Sequence, residues 1–119
     1  MEIKWEETSK EGNYVAATSY LSLIFSPAEV FHLITALKKA PVTEFCAKDV
    51  FRASGLPLLG ISNHRITVDK KKIETGEKLS PILLVRQPTF GKVVIADGYH
   101  RMCALYYFDE KAMVKCKIV

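Results

Sequence analysis

The segment IADGYHRMCALYY, Ile95 to Tyr107, brings an aspartate, a histidine and an arginine together between a strand-like run and a helix-like one. Asp97-Gly98 is a turn pair, and Gly98 permits a positive φ and a close approach of a ligand to the backbone. The residues that follow fall in the first turn of a helix, where backbone N–H groups lack internal partners and the helix dipole is positive. Arg101 adds a forked cation there, and His100 adds an imidazole donor. A positive helix end, an arginine and a close-approach glycine make an anion site, with phosphate its natural occupant. Four roles stand open to Asp97: capping the helix, holding Arg101 or His100 in place, receiving a ribose hydroxyl, or helping to bind Mg²⁺.

A second polar cluster, Ser62-Asn63-His64-Arg65, precedes the basic run Lys70-Lys71-Lys72. Taken alone, it reads as an exposed polar loop. Three successive lysines on a helix point in different directions, so they describe a solvated face better than a nucleic-acid stripe. Glu74 and Glu77 are carboxylates within sequence reach of the turn, and spacing selects neither as a base.

The elements that must position these groups follow from pattern. Asn13 is available to cap a helix in which Tyr14, Ala17, Leu21 and Ile24 recur at helical spacing. Ser26, Pro27 and Glu29 form a capping box with proline at the first helical position. Val30, Phe31, Ile34 and Leu37 are the expected buried stripe of that second helix, and Lys38 and Lys39 suit its negative end. His32 lies off the stripe as a partly exposed residue. A third helix is expected over Glu44 to Ala53, stopping at Gly55, followed by irregular GLPLLG. A short basic helix is predicted over Val68 to Thr75, then a strand in PILLVRQ, a connection in PTFG and a strand in KVVIA. Arg101 to Phe108 is a helix. The closing AMVKCKIV alternates strictly, with Val114, Cys116 and Ile118 inward and Lys115 and Lys117 toward water.

The expected fold class is therefore α+β: a helical N-terminal half packed on a small mixed sheet, with a β-β-α-β C-terminal half. One domain fits the 119 residues, a length that can bury its own core. Within it, residues 1–12 are expected as a flexible or loosely docked tail, 13–60 as a helical extension and 61–119 as the core. Apolar residues make up 49% and charged residues 25%, an ordinary globular balance. No apolar run approaches the ~20 residues needed to span a bilayer, and the polar start with four glutamates is unlike a secretory signal. Cys46, Cys103 and Cys116 lack metal-ligand spacing and read as core thiols in a reducing cytoplasm. A net charge of +4 tolerates anionic partners without demanding one.

The turn IADGYHRMCAL, preceded by GEKLSPILLVRQ and followed by VKCKIV, resembles the ParB/sulfiredoxin-like family. The likeness runs over about Ile66 to Val119 and includes the order of elements as well as the motif. It implies a nucleotide-phosphate site at this turn: ParB-type members bind and hydrolyse CTP, sulfiredoxins use ATP to repair oxidised cysteine, and some relatives phosphorylate free serine from ADP. By position, the resemblance places Gly98, Tyr99, His100 and Arg101 at the phosphates, with Asp97 and His100 as the candidate catalytic groups. Asp97 would also be the ligand of an accompanying Mg²⁺. It further suggests that His64 and Arg65 complete the pocket, with Lys70 or Lys71 nearby. Where sulfiredoxin has a cysteine before the His-Arg pair, this chain has Tyr99, so that repair chemistry is not expected. The ParB-type double arginine is absent and no DNA-binding segment follows Val119, so chromosome partitioning by this chain alone is not expected either.

The leading expectation is a cytoplasmic domain that binds ATP, ADP, CTP or another phosphorylated small molecule, with phosphotransferase or nucleotide hydrolase activity. The alternative is a non-catalytic, dimerising interaction domain whose turn is structural. Nuclease or DNA-binding activity ranks lowest, and no membrane partner is expected.

Overall fold

A computed structural model of the chain describes residues 2–60 and 62–119. Ile61, the expected start of the core region, lies outside the described residues, as does Met1 of the expected tail. The fold is α+β, with five α-helices and one four-stranded mixed sheet among the described residues.

In chain order the elements are α1 (Glu11–Leu21), α2 (Pro27–Lys39), β1 (Thr43–Cys46), α3 (Ala47–Ser54), α4 (His64–Glu74), β2 (Ile82–Gln87), β3 (Lys92–Asp97), α5 (Tyr99–Phe108) and β4 (Met113–Ile118). The sheet order is β1-β4-β2-β3. The central pair β2 and β4 run parallel, whereas β1 lies antiparallel to β4 and β3 antiparallel to β2.

Both faces of the sheet are covered, which is why PILLV is apolar without alternation. Ile82 and Leu84 point toward α3, α4 and α5, where they meet Val50, Ile66, Met102 and Leu105. Leu83 and Val85 point the other way, against Tyr14, Ala17 and Leu21 of α1 and Val30 and Leu37 of α2. The result is three layers: a helical hairpin, the sheet, and three helices that carry the candidate site.

Several expectations need correction. The stretch beginning at Thr43 is a strand and not the start of a helix: Thr43, Phe45 and Cys46 pair with Cys116, Val114 and Met113, so the edge of β4 captures a segment whose local propensity is ambiguous. The third helix consequently begins at Ala47. The fourth begins at His64, not Val68, because the Asn63 side chain accepts a hydrogen bond from Arg65 N at 3.0 Å and caps it. The N-terminal stretch, expected as a tail, makes a bridge from Trp5 to Leu79, with Glu6 N donating to Leu79 O at 2.8 Å. Helix α1 begins at Glu11, and Asn13 sits inside it, where its Oδ1 accepts from Lys10 N.

Two side chains sit opposite to their expected positions. Phe31 lies outside the α2 core stripe and is 70% exposed, its place on the sheet taken by Leu33. Lys117 is only 5% exposed. The hairpin covers that face of β4, and the Lys117 ammonium donates to Tyr14 Oη at 3.0 Å and to the Lys38 carbonyl at 3.1 Å. It thereby satisfies one of the carbonyls left open at the C-terminal end of α2.

Candidate functional site

The turn between β3 and α5 is built by close packing. Gly98 has φ +108°, a backbone conformation suited to glycine. The ladder beneath it is irregular: Leu83 pairs with Asp97 but Leu84 with Ile95, leaving Ala96 as an extra residue. Such a bulge bends the strand end and steepens its twist. Helix α5 starts immediately afterward, with Gly98 O accepting from Met102 N and no side chain capping the first turn. The first-turn N–H groups of Tyr99, His100 and Arg101 therefore point outward at the positive end of the helix.

Helix α4 packs beside α5, and a cleft of about 420 Å³ lies between one face of α4 and the N-terminal turn of α5. All of Asp97, Gly98, Tyr99, His100, Arg101, His64 and Arg65 line it, joined by Val68, Asp69 and Lys72. Three cationic side chains, Arg65, Lys72 and Arg101, thus share the cleft with two carboxylates, Asp69 and Asp97.

Asp97 and Arg101 form the central ion pair, Nη2 to Oδ2 at 3.0 Å, with side chains only 15% and 16% exposed. This i,i+4 contact anchors one nitrogen of the guanidinium beside the turn. One donor of the guanidinium is unpaired: Arg101 Nε is buried and has no hydrogen-bond partner. A buried, unsatisfied guanidinium N–H is costly unless an acceptor arrives.

Asp69 sits half-buried on α4. Burial raises its carboxyl above the ordinary value of 3.8, while Arg101, Lys72, His100 and Arg65 pull in the opposite direction. The opposing groups come from both helices, Arg65 and Lys72 on α4 and His100 and Arg101 on α5.

Tyr99 has its ring 5.6 Å from that of His100, tilted by 44°. Its hydroxyl donates to the Pro57 carbonyl, so what it can offer a ligand is its ring and backbone. Burial, and secondarily the Cys103 thiol, raise its phenol above the ordinary range.

Two charged cleft residues were not singled out from sequence as part of the site. Asp69, rather than Glu74 or Glu77, is the carboxylate added to the site, and Lys72, rather than Lys70 or Lys71, is the lysine. Their signal is helical: with α4 beginning at His64, Arg65, Asp69 and Lys72 recur at i, i+4 and i+7 on one face.

Among the described residues no group of three or more His, Cys, Asp or Glu side chains could hold a metal ion. Asp97 also has one oxygen committed to Arg101. A divalent ion here would need ligand phosphates to complete its shell, the usual situation of Mg²⁺ beside one or two carboxylates. No helix among the described residues is long and apolar enough to cross a membrane. Comparison with protein-family models, curated proteins and solved structures finds no match.

Proposed function

We propose that the cleft between α4 and α5 binds the phosphate groups of a nucleotide or phosphorylated small molecule, in a ParB/sulfiredoxin-like domain. The observation that carries this reading is Arg101 in the wall of the cleft: a guanidinium paired to Asp97, with an Nε donor that lacks an acceptor. A phosphate in the cleft would satisfy that donor once the guanidinium turns toward it, and the uncapped first turn of α5 supplies further N–H groups to the same anion. Arg65, Lys72 and His64 approach from α4 and provide the opposing wall. The order β2-β3-α5-β4 with α4 before it supports the family reading. Three free thiols support a reducing, cytoplasmic setting.

In a reaction at this site, Asp97 would hold Arg101 against the phosphoryl group and His100 would lie at the start of α5 to donate or accept a proton. Mg²⁺ bound with the ligand would neutralise phosphate charge and polarise the transferred group. Phosphoryl transfer depends chiefly on such positioning and charge stabilisation, so phosphotransferase or hydrolase activity is the class this geometry serves.

The test is thermal shift against ATP, ADP, CTP, GTP and inorganic phosphate, each with and without Mg²⁺. A ligand that binds only the native state must raise the transition temperature. Arg101→Ala should weaken a responding ligand by ~10–100-fold, the scale of one or two charge-assisted hydrogen bonds. No response at millimolar ligand, or an unchanged response in Arg101→Ala, overturns the reading.

A further inference from the structure

A second cavity, of about 370 Å³, lies between α3 and the sheet, a size typical of small-molecule sites. Its floor crosses all four strands: Phe45 of β1, Ile118 of β4, Leu84 of β2 and Val93 of β3. Three inter-strand spacings make that floor ~14 Å wide. Val50 and Ala53 of α3 form the wall above it. Leu84, Val50 and Val93 are buried, so the slot reaches down to the packed core. The short side chain of Ala53 leaves the space open. The slot is separate from the α4–α5 cleft: Lys92, which lines it, opens β3, and Asp97 closes that strand ~16 Å away.

Charge is sorted along the slot. Arg86 and Lys92 stand at its β2–β3 end, where Arg86 is the ladder partner of Val93. The Lys92 ammonium lies beside Gly55, just past the end of α3, 3.6 Å from the position a Cβ would take there. Asp49 lines the slot from the first turn of α3, which follows directly on β1. It is six residues before Gly55, or ~9 Å along the helix. The ion pairs among the described residues are Glu11–Lys38, Asp97–Arg101 and Glu44–Lys115, so neither Arg86 nor Lys92 has a carboxylate partner. An apolar trough with two unpaired cations at one end matches an elongated molecule with a single anionic head.

We propose that this slot binds an amphipathic carboxylic acid. The carboxylate meets Arg86 and Lys92, and the apolar chain runs over Leu84 and Ile118 toward Phe45. Burial of the chain supplies the affinity, and the guanidinium fork sets its direction.

The probe is octanoate, titrated into the isotope-labelled full chain and followed by amide chemical shifts and calorimetry. Signals of Val50, Ala53, Leu84 and Val93 should move, whereas those of Asp69 and Arg101 should not. Octanoate should bind ~10-fold more tightly than octanol, the scale of one charge-assisted hydrogen bond. Arg86 and Lys92 are exposed, so the double variant Arg86→Ala, Lys92→Ala should stay folded. It should bind octanoate no better than octanol. Ala53→Leu, checked for folding by circular dichroism, should lose both ligands because its side chain fills the slot. Absence of shifts at millimolar octanoate overturns the proposal. So does octanol or octylamine binding as tightly as octanoate, or binding that persists in folded Ala53→Leu. Shifts confined to Asp69 and Arg101 and competed by inorganic phosphate would place the acid in the other cleft and equally overturn it.

Discussion

Gly98 and Ile82 approach so closely that a methyl group has no place between them. A Cβ on Gly98 would lie 2.5 Å from Ile82 Cδ1 and 2.9 Å from Arg101 Nη2. The glycine of the turn is thus required by packing within the protein, and its missing side chain leaves the space that the Arg101 guanidinium occupies. Gly98→Ala should cost about 2–4 kcal/mol, combining the strain of an L-residue at positive φ with local overpacking. Urea denaturation measures the loss. Ile82→Val, which removes Cδ1, should make the double variant less unstable than the sum of the two single changes. Strict additivity would show that the contact is not the source of the cost.

The forked geometry of Arg101 matters as much as its charge. Lysine offers a point charge and cannot reach Asp97 and a ligand with one planar group. Arg101→Lys should therefore weaken phosphate-ligand binding by ~10-fold although the charge is kept, because one charge-assisted hydrogen bond is lost. Titration calorimetry with the nucleotide that responds best in thermal shift provides the check. Affinity equal to the parent's would reduce Arg101 to a general electrostatic contribution.

Asp69 makes stability depend on pH in a direction opposite to most carboxylates. Burial raises its folded-state pKa above 3.8, so the native state holds this proton more tightly than the unfolded chain does. Stability from this group is present at low pH and is lost as pH rises from the unfolded value through the raised folded one. Asp69→Asn should remove that decline: the difference in unfolding free energy, variant minus parent, grows with pH across the window above 3.8 and then levels off. A flat difference between acid and neutral pH would contradict the assignment.

Much of this architecture was legible because local and global preferences agree. Ser26, Pro27 and Glu29 start α2 where expected, with Glu29 N donating to Ser26 Oγ at 3.3 Å. The β-branched runs of β2 and β3 also lie where their composition puts them. What escaped depends on partners distant in the chain. Thr43–Cys46 is a strand because β4 is beside it, and nothing within those four residues declares that edge. Alternation placed Lys117 toward water because a lysine is normally there, yet α1 and α2 roof that face. At the site, the motif from Asp97 to Arg101 was visible as local chemistry. Asp69 and Lys72 were not, since their alignment with it depends on the start of α4 and on the packing of α4 against α5.

The roofed lysine offers its own test. Lys117 has neutral acceptors, Tyr14 Oη and the Lys38 carbonyl, and its stem fills space under the hairpin. Lys117→Ala should cost about 2–4 kcal/mol through the cavity and the carbonyl left unpaired. Lys117→Met keeps the stem volume and removes a buried charge, so its cost should be about 1 kcal/mol or less. In the Lys117→Met background, Tyr14→Phe should lose most of its effect, since the hydroxyl has no ammonium to accept from. Equal costs for the alanine and methionine variants would show that charge, not volume, holds the hairpin to β4.

The last expectation concerns the loop that leads into the site. Tyr99 and Tyr107, two turns apart on α5, donate to the Pro57 and Leu59 carbonyls and strap residues 57–59 across the helix. Cys103 lies between them, buried, its thiol raised by that burial despite the opposing influence of the Leu59 backbone. Cys116 is buried too, pushed up to about 11 by desolvation, whereas Cys46 is partly accessible. Thiol labelling under native conditions should therefore modify Cys46 first, because reaction requires an accessible thiolate. Tyr99→Phe and Tyr107→Phe each remove one strap, and together they should accelerate Cys103 labelling by ~10-fold or more while leaving Cys116 unchanged. That scale follows from two hydrogen bonds of about 1 kcal/mol each restraining a local opening. Equal acceleration at Cys116, on β4 within the sheet, would mean that the variants loosen the whole fold and that the tyrosines do not act as a local strap.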